Sequence, residues 1–193
     1  MTDPDDDFGF PLLRLGDKTF SADGISSDVA WVPAGGWWGY ASAHKAAADV
    51  LVDEAVSGRD RIDSVAPILF LYRHYLELAL KALASETARI FGDRYSPNHD
   101  LLKAWRVVRS RFSDQDEQAI ALQALDILVE EWSSIDPGSF SFRYPGPLKG
   151  ESFLPDDFDN VNIRQVAERM DQANNLFLAL DVGLDREERR RRG

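Results

Sequence analysis

From Asp63-Ser64 to Gly92 the chain runs for about thirty residues with no glycine and one proline, Pro67, near the start. The simplest structure for such a stretch is one helix of about 40 Å, at 1.5 Å per residue. The proline then sits in the first turn, where its missing N–H costs little. Turning the segment through about 100° per residue places Glu77 about 40°, Lys81 about 80° and His74 about 100° from Arg73. Leu69, Tyr72, Leu76, Leu80, Leu83 and their apolar neighbours fill most of the remaining circumference. A helix apolar over so wide a sector has to be wrapped by other elements, leaving one narrow polar stripe, Arg73-Glu77-Lys81. Phe70 falls inside that stripe at about 60°, so its N-terminal end is expected to be partly covered.

The rest of the chain supplies the wrapping. An alanine-rich helix is predicted from Tyr40 to Val56, stopped by Ser57-Gly58. A third helix follows Ser96-Pro97-Asn98, with Asp100 in its first turn, and runs to about Phe112. Ser113-Asp-Gln-Asp116 has the form of a capping box, so a fourth helix is predicted from about Asp114 to Trp132. Ser133 to Asp159 reads as a long loop, with four prolines and three glycines, held down by Phe140, Phe142 and Tyr144. A fifth helix is expected from Val161 to Leu180, continuing poorly toward Arg189-Arg-Arg-Arg192. No Gly-rich phosphate loop, internal repeat or alternating strand series interrupts this pattern. The predicted fold is all-α, an antiparallel four- to five-helix bundle spanning 36–185. Before it, 1–35 reads as an irregular arm packed on the body, with a short hairpin across Leu12 to Phe20. After it, 186–193 reads as a charged tail, a solvated helix end rather than a nucleic-acid arm.

Composition narrows the chemistry. With no cysteine among 193 residues, disulfides and thiolate catalysis are excluded, which fits a reducing, cytoplasmic setting. The most apolar stretch, Val65 to Ala84, is broken by Arg73, His74, Glu77 and Lys81, so no membrane span is expected. The acidic N-terminus is unlike an export signal. The net charge of −11 repels polyanions on average, so DNA is not an expected partner and any RNA or nucleotide must meet a local basic patch. His44, His74 and His99 lack metal-ligand spacing, so neither a metal nor another cofactor is expected. No serine occupies a nucleophile elbow.

Two readings of the stripe stay open. Arg73 to Glu77 and Glu77 to Lys81 are ordinary i,i+4 pairs, each worth a few tenths of a kcal/mol on a solvated helix back. Alternatively Arg73 and Lys81 offer fixed positive charge to a phosphate or carboxylate, with Glu77 orienting the guanidinium. His99 either caps or packs at the start of the third helix, or serves as a general base or phosphate contact. Arg94, five residues earlier, is its only candidate catalytic companion. In Phe142-Arg143-Tyr144-Pro145, the arginine suits either a latch onto Glu77 or Asp136, or a stacked ligand contact that Tyr144 would share.

Three pieces in order carry a family resemblance: Arg73-His-Tyr-Leu-Glu77-Leu-Ala-Leu-Lys81-Ala-Leu83, then His99-Asp100-Leu101, then Arg143-Tyr144-Pro145. Together they resemble the HEPN domain family, helical domains named for nucleotide binding in higher eukaryotes and prokaryotes. The resemblance covers roughly 40–180. It implies a helical bundle, commonly a homodimer, that binds nucleotides or RNA in toxin–antitoxin, phage-defence or stress-response systems, sometimes beside a nucleotidyltransferase partner. Ligand binding would then fall to Arg73, Glu77, Lys81, His99, Arg143 and Tyr144. Nuclease members of the family are metal-independent endoribonucleases with an Arg-x(4–6)-His motif on a late helix. Here the only such spacing, Arg94 to His99, is early and in a loop. An interaction protein in which the polar trio is purely structural is the third reading.

Overall fold

Helical period and end signals dominate the architecture. The computed structural model describes residues 35–58, 61–112, 119–146, 152–156 and 158–193, all within the unit Pro33–Gly193. Among them are five helices and no strand: α1 (Gly36–Val56), α2 (Arg61–Phe91), α3 (Leu101–Arg109), α4 (Ala119–Ile135) and α5 (Ile163–Arg192). The all-α prediction holds, whereas the expected antiparallel arrangement holds for α1 and α2 but not for α3 and α5, which run parallel to α2. The N-terminal arm with its hairpin over Leu12 to Phe20, and the capping box at 113–116, lie outside the described residues. No described helix is long and apolar enough to cross a membrane.

α4 runs past Trp132 to Ile135, and four further helices depart from their expected bounds for local reasons. α1 begins at Gly36, a turn before Tyr40, because Gly35-Gly-Trp-Trp-Gly39 closes on itself through Gly39 N to Gly35 O at 3.0 Å. α2 begins at Arg61, which puts Pro67 inside the helix rather than in its first turn. α3 stops at Arg109, and Ser110 to Phe112 taper into tighter turns whose amides reach back to Arg106, Val108 and Arg109. α5 starts on the Asn162 cap, whose side chain accepts from Gln165 N at 3.1 Å, and runs through the supposed tail to Arg192. Glu187 binds Arg190 and Arg191, while Glu188 binds Arg192 and Arg89 of α2, so the terminal run is a charge-laced helix end.

Cross-helix contacts give the directions. Trp37 meets Lys81, His44 meets His74, and Asp49 accepts from Tyr72 Oη at 2.7 Å, so α1 and α2 are antiparallel. Tyr75 donates to Asn174 at 3.1 Å and Arg89 pairs with Glu188, so α5 runs parallel to α2. α3 also runs parallel to α2, since His99 lies beside Glu77 and Arg111 binds Asp93 near the far end. The α2–α3 connection, Gly92–Asp100, makes this possible: it must travel back about 21 Å, fourteen helical residues, and nine extended residues reach about 30 Å. Gly92 (φ 75°) starts the return by leaving α2 in a left-handed conformation that favours glycine.

α2 is the axis. Ile68, Tyr72, Leu76, Leu80 and Leu83 are wholly buried. Phe177 of α5, also wholly buried, sets its ring 6.4 Å from that of Tyr75. Replacing Phe177 by alanine is expected to cost about 3–5 kcal/mol through lost transfer energy and a cavity. Urea unfolding of the full chain measures it, and a loss below about 1 kcal/mol would contradict this packing.

Candidate functional site

The stripe on α2 is not a solvated helix back. Arg73 is 1%, Glu77 2% and Lys81 8% exposed. Burying charge is costly unless every polar atom is paired, and here each one is. Arg73 Nη1 donates to Glu77 Oε2 at 3.2 Å. Its Nε and Nη2 both donate to the Asp136 carbonyl at 3.2 Å, and Nη2 also donates to the His99 carbonyl at 2.9 Å. One guanidinium thus joins the middle of α2, the C-terminal end of α4 and the residue before α3's cap. Burial holds the pKa of Arg73 down, an effect opposed by the charges of Glu77 and Asp136.

Glu77 is the hub on the acidic side. Its Oε1 accepts from Lys81 Nζ at 2.6 Å and lies 2.9 Å from His99 Nδ1. Burial alone would raise this carboxyl, but the Lys81 hydrogen bond and the charges of Lys81, Arg73 and His99 outweigh it and hold the pKa below its ordinary value of 4.5. The His99 ring is 64% exposed, so with Nδ1 turned to Glu77 its outer edge faces solvent. Asp100 caps α3 by accepting from Lys103 N at 2.9 Å, which fixes the backbone that presents His99.

The loop after α4 is shaped by Asp136. Its Oδ1 accepts from Phe140 N at 2.9 Å and Ser141 N at 3.0 Å, folding Asp136-Pro-Gly-Ser-Phe-Ser141 into a tight turn. Phe142 drives into the bundle against Trp132 and Phe158. The next residue, Arg143, is exposed, its guanidinium 5.8 Å from the ring centres of both Phe70 and Tyr144. Among the described residues no carboxylate pairs with it. Of the two readings of Arg143, the latch onto Glu77 or Asp136 is made by Arg73 instead.

Two histidines complete the surface. His74 stacks on Phe70, with ring centres 5.8 Å apart, and meets His44 of α1 edge-on at 4.5 Å. Burial lowers the pKa of His74, and the charges of His44, Lys81 and Arg143 lower it further against the pull of Glu77. Lys81 Nζ lies 5.5 Å from the Trp37 ring, which is 43% exposed.

Of the residues singled out in the sequence, Arg73, Glu77, Lys81 and His99 form one network, and Arg143 and Tyr144 join its rim through Phe70. Arg94 does not join: it is exposed and, among the described residues, has no hydrogen bond or ion pair with His99. Sequence reasoning gave His44 and His74 no place in this surface. The available signal was His74's place one turn before Glu77, flanking the stripe. Arg73 and Glu77 are the frame of this site, while His99, His74, His44, Arg143 and Tyr144 are its surface. Searched against known proteins, the chain matches no family model, no curated protein and no solved structure.

Two outcomes test the frame. Arg73→Ala strands Glu77 as a buried charge with fewer partners and is expected to cost about 3–5 kcal/mol in denaturant unfolding, whereas Arg143→Ala should stay within about 0.5 kcal/mol. Because Glu77's pKa is lower folded than unfolded, the stability it contributes is complete above 4.5 and is lost as pH falls through the lower folded value. The Glu77→Gln variant should lose that part of the acid dependence; an unchanged pH profile would contradict the assignment.

Proposed function

We propose that this chain is a HEPN-like helical module that binds a phosphate-bearing ligand, a nucleotide or RNA, on the surface over the Arg73-Glu77-Lys81 network. The observation that carries the reading is the placement of Arg143, Lys81 and His44 around His74, with Arg143 beside the rings of Phe70 and Tyr144 and His44 edge-on to His74, on a chain of net charge −11. Guanidinium and aromatic faces side by side suit a phosphate and its base, the first by charge-assisted hydrogen bonds and the second by stacking. A toxin–antitoxin, phage-defence or stress-response complex, as a homodimer or with a partner such as a nucleotidyltransferase, is the setting we propose for it.

A metal-independent endoribonuclease is the second reading, favoured by the His99–Glu77 contact. An ionised carboxylate at Nδ1 orients the ring and leaves Nε2 as the base toward solvent. There it would take the proton of a ribose 2′-hydroxyl as that oxygen attacks phosphorus and the 5′-oxygen leaves. A purely structural role is favoured by the saturation of Arg73, which leaves that guanidinium nothing to offer a ligand.

Titrating the full chain with fluorescein-labelled single-stranded RNA and with ATP separates these readings. Saturable binding that weakens with salt, and by about tenfold in Arg143→Ala, is expected. No binding of either probe would leave the structural reading standing. RNA cleavage in EDTA that disappears in His99→Ala would establish the nuclease; cleavage unchanged in that variant would remove His99 as the base.

A further inference from the structure

The three histidines around the Glu77 network are held in different ways. His44 sets Nδ1 2.7 Å from the Tyr40 carbonyl, and His99 sets Nδ1 2.9 Å from Glu77. The His74 ring, half-buried between them in the fold, is held by ring contacts alone. It stacks on Phe70 and meets His44 edge-on, and among the described residues neither of its nitrogens has a hydrogen bond or an ion pair.

The charged and titratable groups facing His74 are Glu77 and Lys81 on α2, His44 on α1 and Arg143 on the loop after α4. Glu77 is the one carboxylate among these, and it is already engaged: Oε2 accepts from Arg73 and Oε1 from Lys81. A proton on His74 would thus join two fixed cations without an acceptor of its own. Burial, first, and the charges of His44, Lys81 and Arg143 hold the pKa of His74 below its ordinary 6.5, so the free chain keeps this ring mostly neutral at pH 7.

An anion seated over Arg143 and Lys81 changes each of these conditions. It offsets the positive field that opposes protonation, and it offers the acceptor that the ring lacks, which favours imidazolium over imidazole. A group whose pKa is higher in the complex than in the free chain takes up a proton on binding. Affinity then rises as pH falls between the two values and is level outside them.

We propose that His74 is a proton switch on this surface, neutral in the free chain and charged when an anion is seated, so that binding takes up a proton and tightens as pH falls. The switch rests on the phosphate-bearing ligand proposed above.

Isothermal titration of the full chain with octauridine lacking terminal phosphates tests it, since that probe has no group titrating across the histidine range of about pH 5.5 to 8. Repeating each titration in two buffers of different ionisation enthalpy counts the protons. Uptake approaching about one proton per bound chain is expected, with affinity rising by at most about tenfold per pH unit as pH falls. His74→Gln should abolish the uptake. His44→Gln, which removes one of the charges opposing His74, should keep it and move its window to higher pH. Where His74→Gln fails to fold, NMR titration of the wild-type rings reads the same quantity: the His74 pKa should lie below 6.5 in the free chain and rise when octauridine is bound. Binding without proton uptake, uptake that survives His74→Gln, or a His74 pKa unmoved by octauridine would overturn the switch and leave the phosphate reading standing. No binding at any pH would overturn both.

Discussion

The buried guanidinium of Arg73 is the constraint around which this bundle is arranged. A cation taken out of water needs an opposite charge and an acceptor for each donor face. α2 can supply only Glu77, so the remaining acceptors must come from elsewhere in the chain. They are the carbonyls of Asp136 and His99. The first lies at the C-terminal end of α4, where a cation also meets the negative end of the helix dipole. The second lies one residue before the cap of α3. Misplacing either segment would leave donors unsatisfied in the interior, so one side chain fixes where two helices end or begin. The same demand explains why the nine residues after α2 double back instead of entering α3 directly.

The five helices were legible because a 3.6-residue apolar period, glycine stops and Asn or Asp caps are properties of residue type. The meaning of the stripe was not. A helical wheel gives the angle between Arg73, Glu77 and Lys81, but not what lies over them, and much of the cover is backbone. A carbonyl acceptor carries no signature in sequence, so Arg73's partners could not be read while its partner Glu77 could. Phe70, within the polar sector, was the one hint of cover. Lengths failed for other reasons. Glycine-rich propensity hid the first turn of α1, and a run of arginines concealed that Glu187 and Glu188 stood at the right spacing to neutralise it. The ordered motifs that resemble HEPN domains do meet in space around Glu77 and Phe70, which supports the proposed function without identifying it.

Within the frame the charges balance: Arg73 and Lys81 face Glu77 and Asp136. A balanced interior projects little field, so what the surface offers an anion depends on groups outside it. Arg143 supplies such a charge, whereas His74 is held below its ordinary pKa by burial and by the nearby charges of His44, Lys81 and Arg143. An anion seated there would favour protonation of His74, so on the proposed reading affinity and the protonation of His74 are linked.

The loop from Asp136 to Tyr144 divides the proposed surface from an apolar groove of about 620 Å³ between α4 and α5. Successive residues point to opposite sides of it: Phe142 is in the floor of the α4–α5 groove, and Arg143 stacks over Phe70. On α2 the same division falls between Leu69, which lines the groove, and Phe70, which carries the arginine. A wall one residue thick cannot move on one side only. Its position is set by Asp136, held twice by Arg73 through the backbone and twice by its own loop amides through the side chain. The buried ion network thus sets the floor of the groove and the rim of the proposed surface. In physical terms this is why a stripe that looked like a solvated helix back is the part of the sequence on which both sides of that loop depend.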